Sequence, residues 1–124
     1  VRVITITRIK QAMLQYPQWR IGLDLWIATF NQKGLSLASY QDIRNKWKQA
    51  SGWNTDRVAG ARLKNEDNSY GSIYDLYIFD IHGSDCRILS KISKGTIYIR
   101  AILSHAEYDK WCNNNIHQGK MKKR

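Results

Sequence analysis

A chain of 124 residues with 43% hydrophobic side chains, including 5 Trp and 7 Tyr, has the apolar mass for one packed core, which excludes a disordered polymer and a multidomain machine. No run approaches the roughly 18 apolar residues of a membrane span, and Arg2, Arg8 and Lys10 interrupt any hydrophobic leader, so the expectation is a soluble cytoplasmic protein. Lys and Arg total 20 against 10 Asp and Glu, a net charge of +10 that favours a polyanion or an acidic protein as partner.

"VRVITI" alternates weakly and predicts a short first strand. Thr7 is placed to cap a helix in which Ile9, Ala12, Met13 and Tyr16 recur at helical spacing. Pro17 interrupts that pattern, and Leu23, Trp26, Ile27 and Phe30 repeat it, giving two helices or one kinked helix that ends near "NQKG". Ser39 and Asp42 suit a capping box ahead of a third helix with Ile43 and Trp47 inward. Core packing is the plain account of these aromatics. From Ser51 to Ser72 the chain is rich in Gly, Asn, Asp and Ser, which predicts a loop region with a short strand near Arg57 to Leu63.

The second half is a meander. "IYDLYIFDIHG" and "CRILSKI" predict strands separated by Gly83, Ser84 and Asp85, and Lys94 with Gly95 turns the chain into "TIYIRAIL". Parity places Ile88 and Ile92 on one face. A two-residue turn adds Ile97, Ile99, Ala101 and Leu103 to it, and sends Arg87, Lys91 and Arg100 to the other face with Leu89, Tyr98 and Ile102. The N-terminal helices are expected across the face of Ile88, Ile99 and Leu103.

Ser104 with Glu107 forms a second capping box, so the last helix starts at His105, and His105, Tyr108 and Trp111 follow at intervals of three. A helix start just beyond a strand brings amides and a positive dipole end beside Arg100, which suits a phosphate. Cleaving RNA without a metal needs a group that takes the ribose 2′-hydroxyl proton, cations for the charge growing on the phosphate, and an acid for the leaving 5′-oxygen. Arg87, Arg100, His105 and Tyr108 supply such residue types in one neighbourhood, with Lys91 and Lys94 extending it along the nucleic acid. Each has a plainer account, as a solvated strand or helix-start residue or, for Tyr108, as core. Cys86 and Cys112 have no short spacing and suggest two free thiols. A zinc site from these with His82, His105 and His117 lacks any CxxC or HExxH pattern, so no metal or other cofactor is expected.

"YIFDIHGSDCRIL" followed by "IYIRAILSHAEYDKW" resembles the HigB-type toxins of bacterial toxin–antitoxin systems, within the RelE-like superfamily of mRNA interferases. The likeness lies in a strand ending in a glycine turn, a strand carrying an arginine, and an ending in which Ser104 takes the place of threonine in "THxEYD". "RVIT", "YPQW" and "LDLW" extend it over about four fifths of the chain. The resemblance implies an α+β fold, a small antiparallel sheet of four to five strands with N-terminal helices on one face, a nucleic-acid cleft on the other and a short C-terminal helix. It further implies a prokaryotic, ribosome-dependent mRNA endoribonuclease without a metal, neutralised by a HigA-like antitoxin with a helix-turn-helix domain. By position, Arg87, Arg100, His105 and Tyr108 would be the catalytic set, and Lys91, Lys94 and Lys110 the RNA contacts.

The segment Gly60 to Ser72 is longer than the usual link, and Asp80 and Asp85 stand where the family favours asparagine and a basic or amide residue. Acids there weaken an anion site if they point inward. Residues 1–118 are expected to form the single toxin domain, and 119–124, with Lys120, Lys122, Lys123 and Arg124, a mobile basic tail. The alternative function is a noncatalytic RNA- or ribosome-binding regulator of the same fold. A module for an acidic protein partner is more distant, and DNA binding lacks a second recognition helix beside "ASYQDIRNKWKQASGW".

Overall fold

The computed structural model describes residues 2–4, 6–32, 35–36, 39–60, 75–93 and 95–116. Lys94, His117, nearly all of the 60–72 segment and the basic tail lie outside the described residues. Apolar spacing changes from helical to alternating near Gly52, and the fold divides there. Strand β1 (Arg2–Ile4) is followed by helices α1 (Ile6–Gln15), α2 (Arg20–Phe30) and α3 (Tyr40–Ser51). Strands β2 (Thr55–Val58), β3 (Leu76–Ile81), β4 (Cys86–Ser93) and β5 (Thr96–Ser104) then lead into α4 (His105–Asn115).

Local chemistry sets most of the boundaries. Helix α1 already includes Ile6, so Thr7 sits inside its first turn rather than capping it. Pro17 cannot donate a backbone hydrogen bond; it opens a single 3-10 turn, Pro17–Trp19, that separates α1 from α2. The Ser39 hydroxyl accepts the Asp42 N–H at 3.2 Å to start α3, and Gly52 ends it at a φ of 83°, donating to the Lys48 carbonyl.

The strands form one five-stranded sheet in the order β1-β5-β4-β3-β2, antiparallel throughout except for the β1–β5 pair, which is parallel. Helices α1 to α3 cover one face. Ile9, Leu23, Trp26, Phe30, Ile43 and Trp47 meet Phe79, Ile81, Ile88, Ile97 and Ile99 there, with the Trp26 ring edge-on to Phe79 at 5.4 Å. Trp47 Nε1 also donates to the Asp80 carbonyl at 2.9 Å, which fixes β3 against α3.

A bulge changes the predicted register. Ser93 pairs with Thr96, as a two-residue turn requires, and Ile92–Ile97 and Ser90–Ile99 share the helix face. Leu89 then pairs with Ala101, which leaves Arg100 as the extra residue of a β-bulge. Beyond it parity reverses. Ile102 turns toward the N-terminal helices, whereas Ala101 and Leu103 turn to the opposite face, contrary to the sequence expectation for all three. The Arg8 side chain donates to the Arg100 carbonyl at 2.7 Å, so α1 braces the bulge.

Ala101 and Leu103 join a second core on that opposite face. Val58, Leu76, Ile78, Leu89 and Ile116 are buried in it, and Tyr108, Trp111 and Cys112 of α4 close over them. Among the described residues no helix is long and apolar enough to cross a membrane.

Gly22 of α2 sits tight against the sheet: a Cβ there would lie 2.7 Å from Ile81 Cγ2 and 3.0 Å from the Trp53 ring. The methyl of Gly22→Ala gains about 1 kcal/mol of helix propensity but overpacks a stiff β-branched side chain, a cost of about 1–3 kcal/mol. A net loss of stability in urea unfolding is expected, and a more stable variant would show that α2 can shift away from the sheet.

Candidate functional site

Arg87 projects from β4 on the α4 side of the sheet and is held from several directions. Its Nε lies 2.7 Å from Asp80 Oδ1 on the paired strand β3, with both side chains only 13% exposed. Nη1 donates to the Ser84 carbonyl at 3.0 Å and faces His105 Nδ1 at 3.2 Å. The guanidinium carbon lies 4.7 Å from the centre of the Tyr108 ring. Arg87 is thus at once ion-paired, hydrogen-bonded and stacked on an aromatic face.

These contacts determine the state of His105. An arginine nitrogen only donates, so Nδ1 presents its lone pair to Arg87, and the neutral ring carries its proton on Nε2. Nε2 lies 3.5 Å from Asp109 Oδ2, one helical turn on. The imidazole therefore stands between a cation and a carboxylate while remaining exposed.

Helix α4 begins where the sequence predicts, but its amides serve a different purpose. Ser104 and Glu107 complete the capping box, with the Ser104 N–H donating to the Glu107 carboxylate at 2.8 Å and the Glu107 N–H to the Ser104 hydroxyl at 3.2 Å. The His105 N–H donates to the Asp85 carbonyl at 2.9 Å. Internal acceptors thus take most of the donors that the sequence reading offered to a phosphate. The arginine at the helix start is also Arg87 and not Arg100, which sits in the bulge three residues from Leu103, the partner of Arg87. That offset is about 10 Å along the strand.

Tyr108 is half-buried and faces inward. Its ring stacks on Trp111 at 6.1 Å, nearly parallel at 13°. Burial, followed by a hydrogen bond with Cys112, pushes its phenol far above the ordinary range. The tyrosine serves Arg87 as a platform, and its hydroxyl belongs to the second core. Lys91 lies further along β4 with its Nζ 5.1 Å from the Tyr98 ring centre. Lys110 is exposed, about 200° around α4 from Tyr108 and so on the helix's outer side. Lys94 lies outside the described residues.

The two acids flagged in the sequence part ways. Asp85 pairs with His82 at 3.1 Å in the exposed β3–β4 turn, where His82 adopts a φ of 54°. Asp80 points inward. Burial raises its carboxyl, and the Arg87 charge only partly offsets the rise. Neither Cys86 nor Cys112 is in a disulfide, and burial pushes the Cys86 thiol up to about 12, which leaves it unsuited to nucleophilic work.

Residues 59–111 match the HigB_toxin family, described as the RelE-like toxic component of a toxin-antitoxin system. No curated protein matches the chain. The matched segment runs from the end of β2 into α4 and holds Arg87, Arg100, His105 and Tyr108. It supports membership of the RelE-like toxin superfamily. "RVIT", "YPQW" and "LDLW" fall ahead of it.

Asp80 gives a pH test. A carboxyl whose folded pKa is raised binds more protons folded than unfolded, so its contribution to stability falls as pH rises above the ordinary value near 3.8. Asp80→Asn keeps the shape and removes the buried charge. The variant is expected to be the more stable of the two in urea at pH 7, with the difference shrinking as pH falls toward 4. A variant less stable at pH 7 would mean that the ion pair outweighs its desolvation.

Proposed function

We propose that this chain is a ribosome-dependent mRNA endoribonuclease toxin that acts in the cytoplasm and is neutralised by a HigA-like antitoxin. The observation that carries the reading is the 3.2 Å contact between Arg87 Nη1 and His105 Nδ1 within the segment that matches the toxin family. It sets a guanidinium, a group suited to phosphate, beside an imidazole nitrogen suited to accept a proton. When a scissile phosphate draws Arg87 toward it, His105 Nδ1 loses its donor and can accept the ribose 2′-hydroxyl proton. Asp109 then faces the imidazolium that forms. The 2′-oxygen attacks phosphorus, a 2′,3′-cyclic phosphate forms, the bond to the 5′-oxygen breaks, and that oxygen takes up a proton from water, while His105 later releases its own to solvent. Arg87 balances the charge growing on the phosphate.

A second reading, a noncatalytic RNA- or ribosome-binding protein of the same fold, is favoured by one observation: Asp80 neutralises Arg87 in the resting site. Cleavage separates the two. Induction in cells with mapping of mRNA ends should show cuts with 2′,3′-cyclic or 3′-phosphate ends. Arg87→Ala and His105→Ala should lower cleavage by roughly 10² to 10⁴. Tyr108→Phe keeps the ring beneath Arg87 and should cut within a few-fold of the native rate. Products with 5′-phosphates, or full activity in His105→Ala, would refute this chemistry. Coexpression with the product of an adjacent gene should yield a complex and abolish the cuts.

A further inference from the structure

Among the described residues, Tyr98 is the exposed large apolar side chain of the sheet. Leu14 and Ile21, the other exposed ones, lie on α1 and α2, whereas Tyr98, 37% exposed, lies on β5 between two paired strands. The reason is the position of α4. It packs over Leu89, Ala101 and Leu103, toward one end of the β4–β5 pair, and Lys91 and Tyr98 pair toward the other end, on the same face as Arg87. Arg87 and Lys91 are four residues apart on one strand, about 13 Å, which leaves room for a nucleotide or two between them.

We propose that Tyr98, with Lys91, forms a base-stacking subsite for single-stranded RNA that flanks the Arg87–His105 centre. The inference rests on the reading of this face as an RNA surface. Tyr108 cannot stack a base, because Arg87 lies over its ring and Trp111 stacks beside it. Over the Tyr98 ring lies the Lys91 ammonium, at 5.1 Å, on a long flexible stem. An arriving base can displace that ammonium, which then turns to the adjoining phosphate. One ring beside a lysine, on the same face as Arg87 in a chain of net charge +10, offers little apolar area to a protein partner but suits a polyanion with stackable bases.

The test is titration of a fluorescein-labelled single-stranded oligoribonucleotide with the full chain over a range of salt concentrations. Tyr98→Ala should weaken binding by about 5- to 100-fold with its salt slope unchanged, and Tyr98→Phe should stay within about two-fold of native. Lys91→Ala should weaken binding with a salt slope smaller by about one. Native affinity in Tyr98→Ala, or a Tyr98→Phe chain as weak as Tyr98→Ala, would overturn the subsite, as would no binding by the native chain at low salt. Cleavage assays separate this from the nuclease reading. If Arg87→Ala is inactive while Tyr98→Ala binds and cuts as native, only the subsite falls; if RNA binds through Tyr98 and nothing is cut, only the nuclease reading falls.

Discussion

The extra residue at Arg100 is the constraint on which the rest depends. A strand that kept strict alternation from Ile97 to Leu103 would direct Ala101 and Leu103, with Ile97 and Ile99, at the N-terminal helices and withdraw both from the core under α4. The bulge splits that set, sending Ile97 and Ile99 to the first core and Ala101 and Leu103 to the second. The split adds Ala101 and Leu103 to the apolar bed of Val58, Leu76, Ile78 and Leu89 beneath α4, and on that bed Tyr108 sits against Arg87. Arg8 takes up the Arg100 carbonyl, so helix α1, on the far face, helps to set the geometry of the site.

Arg87 shows how a cation can be both rigid and available. Nε belongs to Asp80, Nη1 is shared by Ser84 and His105, and one face of the guanidinium rests on tyrosine. An arginine restrained in this way loses little freedom when it meets a phosphate. Asp80 has the opposite electrostatic effect, because its negative charge cancels attraction at long range. The raised carboxyl of Asp80 shows that the pair is not simply stabilising, since burial costs the carboxylate more than Arg87 returns. Orientation at the cost of some attraction is the balance that this pair strikes.

Much of this was legible in the sequence because it is set by short-range rules. Helical spacing identified Ile9, Trp26, Phe30, Ile43 and Trp47 as core, Ser104 and Glu107 marked the start of α4, and alternation found β3, β4 and β5. The bulge was not legible, because nothing in "TIYIRAIL" distinguishes a regular strand from one with an extra residue; the brace from Arg8 is 92 positions away. The same slip misassigned Ala101, Ile102 and Leu103. The parallel pairing of β1 with β5 likewise depends on tertiary contact between strands far apart in sequence. His105 and Arg87 were placed in one neighbourhood, but their direct contact depends on how α4 seats on the second core.

The two halves of the α4 face follow from one fact, the length of that helix relative to the strands it covers. Over Leu89 and Leu103 it excludes water, which strengthens the Asp80–Arg87 pair and pushes up the Tyr108 phenol. Toward Lys91 and Tyr98 the strands run on with side chains that lie at least partly in water, where charges are screened and contacts are weaker. A sheltered centre beside a wetter basic strip suits a long flexible anion, because chemistry needs fixed dipoles at one phosphate whereas holding a chain needs many weak contacts along its length. On the proposed reading, two adjacent strands, β4 and β5, serve both needs.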